Sequence, residues 1–372
     1  MIWGIETPAE PGPVPRPEID VGADAVAPLV QVAYLAPPAG EPIVDELLAS
    51  PVLRDPEFRG EVEEWIDYWR GPARRWFPQY LRRMGAFELT VDSALAARRM
   101  PPSLRYLPLI ESGYSPSARS PASAVGLWQF MAGTAGDYGM EVGAFVDQRR
   151  DPFMATAAAT EYLDRLYDRF GSWFLVLAAY NGGPNRAGRI LRERAPLAAP
   201  SDSLFWAHRE AWPRETREFV PKLVSAIIVS QNPTEYGYDE ISRDLPFRYD
   251  RAVVPDATTL DVLAEAAETS EDEMRRLNPE LFRGFTPPGS AYSIRIPVGR
   301  GPSFAARYAE IPADRRLTVV EHVVAQGETL SHIALRYGVS VSDLEAANPG
   351  IRPRYLRLGA RLTVPITLAR GG

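Results

Sequence analysis

The chain has no cysteine, one lysine and three histidines among its 372 residues. Without cysteine there are no disulfide staples, no thiolate zinc or iron–sulfur site and no cysteine nucleophile. His208, His322 and His332 are too few for a histidine-rich metal centre, and a Ser-His-Asp triad would have to use one of them. Lys222 is the one side-chain amine through which Schiff-base chemistry could run. Long apolar runs are missing too: no stretch approaches the roughly 20 residues that cross a bilayer as a helix. The N-terminus lacks the basic start and apolar core of a secretory leader. Export information would therefore have to lie outside this chain, or the protein stays inside the cell. A net charge of −7 gives no basic field for nucleic acid, which is excluded as the main partner.

What is present divides the chain into blocks. Nine prolines fall within the first 42 residues, so residues 1–45 read as a disordered arm that cannot bury a core. From Glu46 to about residue 240 the pattern is helical, with Leu53, Phe58, Val62, Trp65, Ile66 and Trp69 at helical spacing. It continues through Val91–Met100, Phe153–Phe170, Trp173–Tyr180 and Glu215–Ser230, broken at Pro101-Pro102, Gly171 and Gly182-Gly183-Pro184. After Pro246 the sequence repeats itself. Thr259-Leu260, Val262-Leu263-Ala264 and Asn278-Pro279 recur 70 residues later as Thr329-Leu330, His332-Ile333-Ala334 and Asn348-Pro349. Each unit reads strand, helix, helix, strand, over 245–299 and 319–367. The Gly-, Pro- and Arg-containing stretch 300–318 reads as a linker between them.

The chemistry concentrates in one run. Glu111 follows Leu107-Pro108-Leu109-Ile110, and burial there should raise its pKa toward the range where a carboxyl donates a proton near neutral pH. Ser112 could hydrogen-bond a carboxyl or a substrate carbonyl, or cap local backbone. Gly126-Leu127-Trp128-Gln129 offers a turn, an aromatic plate and an amide suited to an N-acetylated sugar, although Trp128 and Phe130 alone read as core. In Ala178-Ala179-Tyr180-Asn181-Gly182-Gly183 a helix stops at glycines with a phenol and an amide at the break, and Asn181 could equally be a cap.

Taken in order with Glu215-Thr216-Arg217-Glu218-Phe219-Val220-Pro221-Lys222, these segments resemble the lytic transglycosylases of the goose-lysozyme-like fold, of the membrane-bound murein transglycosylase D type. The resemblance covers Arg105 to Lys222. It implies a mainly α lysozyme-like catalytic domain, followed by two small α+β modules. It also implies non-hydrolytic cleavage of the MurNAc–GlcNAc β-1,4 bond of peptidoglycan to 1,6-anhydromuramoyl ends, in cell-wall remodelling or turnover. By position, Glu111 would be the sole acid and base, and Ser112, Gln129, Tyr180, Asn181 and Phe219 would face substrate. Phe219 departs from the tyrosine usual in the family, which leaves a catalytically impaired peptidoglycan-binding protein open beside a muramidase using water. Glu215 and Glu218, among Arg214 and Arg217, read as a solvated, salt-bridged face.

The unit at 319–367 resembles a LysM domain, which implies binding of N-acetylglucosamine-containing glycans by Gly327, Glu328, Thr329, Asn348 and Pro349. The unit at 245–299 resembles a degenerate LysM, with Pro255-Asp256-Ala257 where the first turn should carry glycine, and reads as a spacer or a weakened binder. No cofactor and no metal are implied, since His322 and His332 have no carboxylate cluster beside them. The partners implied are peptidoglycan glycan strands, with envelope proteins as further candidates, and the protein a monomer in the periplasm or outer-membrane-associated envelope.

Overall fold

The computed structural model describes residues 43–143, 145–255, 257–287, 291–312, 315, 319–348, 351–352 and 356–365. Nearly all of the arm expected at 1–45, and Pro349 among the expected glycan-binding residues, lie outside them. The described residues form a mainly helical body followed by two small α+β modules.

The body runs through α1 (Pro56–Arg70), α2 (Phe77–Ala97), α3 (Leu107–Ser112), α4 (Ala132–Asp137), α5 (Pro152–Phe170), α6 (Trp173–Gly182), α7 (Pro184–Arg194), α8 (Asp202–Ala207) and α9 (Arg214–Gln231). Local chemistry sets the starts. Asp55 Oδ1 accepts from the amides of Glu57 and Phe58 at 2.9 and 3.1 Å, and Asp151 Oδ1 from those of Phe153 and Met154 at 2.8 and 3.0 Å. Each aspartate is followed by a proline in the first helical position, where no N–H is needed. Helix α6 is buried at every residue from Trp173 to Ala179. A helix with no polar face belongs at the centre, and α5, α7, α8 and α9 pack around it. Helix α9 also packs against α1, where Trp69 Nε1 donates to Ser225 Oγ at 2.9 Å. After α9 the chain returns across α2. The Tyr238 ring stacks on Phe77, its hydroxyl donates to the Trp69 carbonyl at 2.6 Å, and Phe247 N donates to the Ala86 carbonyl at 2.9 Å.

The first module is β1 (Asp250–Val254), α10 (Leu260–Ala266), α11 (Glu271–Leu277) and β2 (Tyr292–Ile296), the strands antiparallel with Asp250 opposite Ile296. Its end differs from the sequence reading. The stretch expected to be a linker contains α12 (Gly301–Glu310), whose Phe304 and Tyr308 are buried with Ile311 in the module's core. These residues recur at helical spacing and form an apolar stripe that the surrounding Gly, Pro and Arg obscured. Asp250 Oδ2 fixes the start of this segment, accepting from the amides of Gly299 and Gly301 at 2.8 and 3.1 Å.

The second module repeats the plan with β3 (Val319–Val323), α13 (Leu330–Tyr337), α14 (Val341–Ala347) and β4 (Arg361–Pro365). One asparagine staples each module. Asn278 Nδ2 donates to the Arg295 carbonyl and its Oδ1 accepts from Arg295 N, at 2.8 and 2.7 Å; Asn348 does the same with Thr363 at 2.7 and 2.8 Å. Its amide being used this way, Asn348 serves the module's closure and not, through that side chain, a glycan. Thr329 Oγ1 caps α13 by accepting from His332 N at 3.2 Å. Glu328 is tied to Ala325 N, to Arg336 and to the buried ring of His322. Gly327, at a φ of +79°, stands in open space at the turn.

Candidate active site

Helix α3 is short and apolar: Leu107, Pro108, Leu109 and Ile110 are all buried, which leaves Glu111 at its C-terminal end as the first side chain reaching the surface. The helix stops at Gly113, whose φ of +59° is left-handed and where a Cβ would meet the Tyr80 ring at 2.3 Å. Desolvation pushes the Glu111 carboxyl up to about 7, against the pull of the Lys222 ammonium and with help from the Glu215 carboxylate. Lys222 donates to the Ile110 carbonyl at 3.0 Å, satisfying an open acceptor at the end of α3, and its ammonium rests 5.6 Å from the centre of the Trp65 ring. Burial lowers the pKa of this lysine, while Glu111 and Glu215 oppose the shift.

The loop carrying Gly126 to Phe130 closes over α3. Ser112 Oγ lies 2.8 Å from the Leu127 carbonyl and 3.1 Å from that of Pro108, and accepts from Ser115 N at 3.3 Å. Expected to face substrate, Ser112 instead ties the loop to the helix, because backbone carbonyls occupy its hydroxyl. Trp128 is fully buried, with Nε1 donating to Thr156 Oγ1 at 3.0 Å, so its plate is core and not a sugar platform. Tyr180 donates to the Trp128 carbonyl at 2.6 Å, and burial followed by the nearby Glu111 charge raises its pKa well above the ordinary value. The phenol therefore stays neutral beside the acid. Gln129 is half-buried at a φ of +51°, and its Nε2 donates to the Gly126 carbonyl at 2.9 Å.

Asn181 ends α6 beside the start of α9. Its Oδ1 accepts from Thr216 Oγ1 at 2.8 Å and its Nδ2 lies 3.5 Å from Glu215 Oε1. Phe219, expected to face substrate, is 4% exposed and packs in the core. It shares the inward face of α9 with Val220 and Leu223. Glu215 also departs from expectation. Glu218 is paired with Arg214 and Arg217 with Glu210, as on a solvated face, but Glu215 stands by Asn181 in the field of Glu111 and Lys222. The signal was in the sequence: Glu215 and the single lysine are seven residues apart, two turns along one helix face. Around the same end of α3, Tyr80 covers Gly113, Arg83 donates to the Gly113 carbonyl at 3.3 Å, and the exposed Tyr68 meets Trp65 edge-on. Among the described residues no group of three or more metal-ligating side chains gathers.

Glu111, the loop at 126–130 and the end of α6 fall within residues 90–199, which match the family "Transglycosylase SLT domain". Over those residues the helical body is similar to an SLT transglycosylase domain. Residues 248–313 match "Lytic transglycosylase MltD, LysM-like domain", and 322–365 match "LysM domain". The chain is 30% identical over 279 residues to membrane-bound lytic murein transglycosylase D of Escherichia coli, an overlap of 72% of this chain and 60% of that one. It thus spans about 60% of the length of the curated relatives it matches. Among solved structures, an inactive mutant of lytic transglycosylase Slt from Pseudomonas aeruginosa is 25% identical, over 42% of this chain and 26% of that one, with a TM-score of 0.32. The 70 kDa soluble lytic transglycosylase of Escherichia coli is 21% identical, over 53% and 38%, with a TM-score of 0.32. The three family matches together cover part of the helical body, at 90–199, and the two modules after it, at 248–313 and 322–365.

Proposed function

We propose that this protein is a peptidoglycan lytic transglycosylase of the cell envelope that cleaves the MurNAc–GlcNAc β-1,4 bond with Glu111 as acid and base. The observation that carries this reading is the state of that carboxyl: held near 7, it is populated in both forms at neutral pH. Protonated Glu111 gives its proton to the bridging oxygen as the C1–O4 bond breaks. The C6 hydroxyl of the muramoyl residue then closes on C1, and the carboxylate takes the hydroxyl proton, so Glu111 is restored and no water is consumed. Lys222 lies close enough to stabilise the carboxylate between the two transfers. Gln129 and Asn181 flank the site as amides for the sugar substituents, and Tyr180 stays neutral beside Glu111. The LysM module would hold the enzyme on glycan strands through its open turn at Gly327.

Glu215 supports a second reading. A hydrolase pairs its acid with a further carboxylate that activates water, and Glu215 is the carboxylate in the field of Glu111. Mass spectrometry of digested sacculi separates the two. Anhydromuramoyl ends support transglycosylation, reducing ends support hydrolysis, and undigested sacculi would leave a binding protein.

A further inference from the structure

The first module is joined to the body by buried charge. Arg295, on β2, has a side chain only 5% exposed and pairs with Asp151, the cap of α5, and with both oxygens of Glu280 at 3.1 Å. Its guanidinium lies 5.1 and 5.3 Å from the ring centres of Phe153 and Tyr249, both from the segments it joins. Val146 of the body sits in the module's own core, and Phe145 meets Phe285 edge-on.

From that joint a continuous set of contacts leads to the active-site loop. Asp147 N donates to the Glu280 carbonyl at 3.0 Å. The Asp147 carboxylate receives the Arg149 fork, Nε and Nη2 each at 2.8 Å. Arg149 Nη1 then donates at 3.1 Å to the carbonyls of Ser123 and Phe130, on either side of the loop. The fit is close enough that a Cβ at Gly126 would lie 1.7 Å from the Arg149 carbonyl oxygen. The same loop supplies the Leu127 carbonyl to Ser112 and the Trp128 carbonyl to Tyr180.

Meanwhile the turn that is open at Gly327 to Thr329 in the second module is closed in the first. Its counterparts are Ala257, Thr258 and Thr259; Ala257 and Thr258 are buried, and the Thr258 hydroxyl meets that of Tyr308 of α12 at 2.7 Å.

We propose that the first module is a fixed buttress of the catalytic domain, and not a tethered glycan binder. In this role Arg295 and Arg149 are positioning residues that hold the Gly126–Phe130 loop against Glu111. The proposal rests on that loop and Glu111 forming the active site.

The test uses the full chain and two measurements. Arg149→Met and Arg295→Met should each lower kcat on short soluble muropeptide oligomers at least tenfold with KM within about threefold, since geometry is lost and not a substrate contact. Amide hydrogen exchange across residues 123–130 should quicken at least tenfold while α6 stays protected. Arg149→Lys, which keeps the charge and loses the fork, should recover only part of either effect. The control Arg283→Ala should change neither. If Arg295→Met does not fold, Val146→Ala and Phe285→Ala loosen the same joint without stranding a charge, and faster exchange at 123–130 is again the expected result. Unchanged exchange there in the folded variants, or wild-type kcat in Arg295→Met, overturns the proposal. The exchange arm needs no catalysis, so a wild-type protein that released nothing from peptidoglycan would remove the proposed function and leave the buttress to be judged on exchange alone.

Discussion

The two C-terminal modules share a scaffold and differ in what they do with it. Both close a strand pair over two helices with one asparagine, Asn278 or Asn348, bonding the closing strand in the same pattern. At the position that is Thr363 in the second module the first carries Arg295, and where the second has Gly350 the first has Glu280. Arg295 and Glu280 pair inside the first module, and Arg295 also pairs with Asp151 at the start of α5, which fixes the module to the body. The second module meets the first through Arg283 and Asp343, a pair left partly open to solvent. A repeat therefore preserves the residues that fold it, while the residues at a few outward positions decide whether the unit becomes part of a neighbouring core or stays a separate module.

The largest expected effect contrasts those joints. Arg295→Ala leaves Asp151 and Glu280 buried without their cation and should cost about 3–5 kcal/mol. Arg283→Ala removes a screened pair and should cost about 1 kcal/mol or less. Thermal melts of the two variants measure the difference, and equal losses would mean that the two joints are alike. A smaller contrast comes from the staples. Asn278→Ala leaves buried backbone groups unpaired and Asn348→Ala part-buried ones, at roughly 1–3 kcal/mol apiece with the second the smaller. The first should lower the main transition, because that module shares core with the body; the second should produce a separate early transition that leaves the main one in place. Calorimetry showing one shared transition in both cases would mean the second module is equally integrated. The smallest effect is on catalysis. Removing residues 319–372 should change turnover of short soluble muropeptides by less than about twofold while reducing digestion of insoluble sacculi, since a tethered binder acts through local concentration. Equal sacculus binding with and without the segment counts against its role.

The sequence showed the parts of this arrangement that are local or repeated. The apolar run before Glu111 already implied a desolvated carboxyl, and the 70-residue offset marked both modules. Direction was harder to read. Ser112 and Phe219 were in the right segments, yet Ser112 faces backbone and the Phe219 ring faces the core, because a short motif does not say which side of its element is covered. Helix α12 was missed because Gly and Pro at its start outweighed the spacing of Phe304 and Tyr308. The Arg295–Asp151 pair joins residues 144 apart and has no local signature at all. Glu215 and Lys222 could have been found, since one helical face and a lone lysine were both visible.

In the proposed reaction one carboxyl, tuned by burial, performs both proton transfers, and Glu111→Gln removes that carboxyl while keeping its shape. The variant should release less than about one thousandth of the anhydromuropeptides that wild type releases from sacculi, a rise of about 4 kcal/mol or more in the barrier. Wild-type activity should fall as pH rises above about 7, as the acid form is lost. Stability follows the same titration. The folded pKa is raised from the ordinary 4.5, so the stabilisation from holding the neutral carboxyl is complete below that value and lost as pH rises through 7. Glu111→Gln should therefore match wild type near pH 4 and exceed its stability by roughly 1–3 kcal/mol at pH 8. An inactive variant that is folded and more stable at pH 8 supports a single-carboxyl mechanism. A variant retaining activity within tenfold of wild type would contradict it.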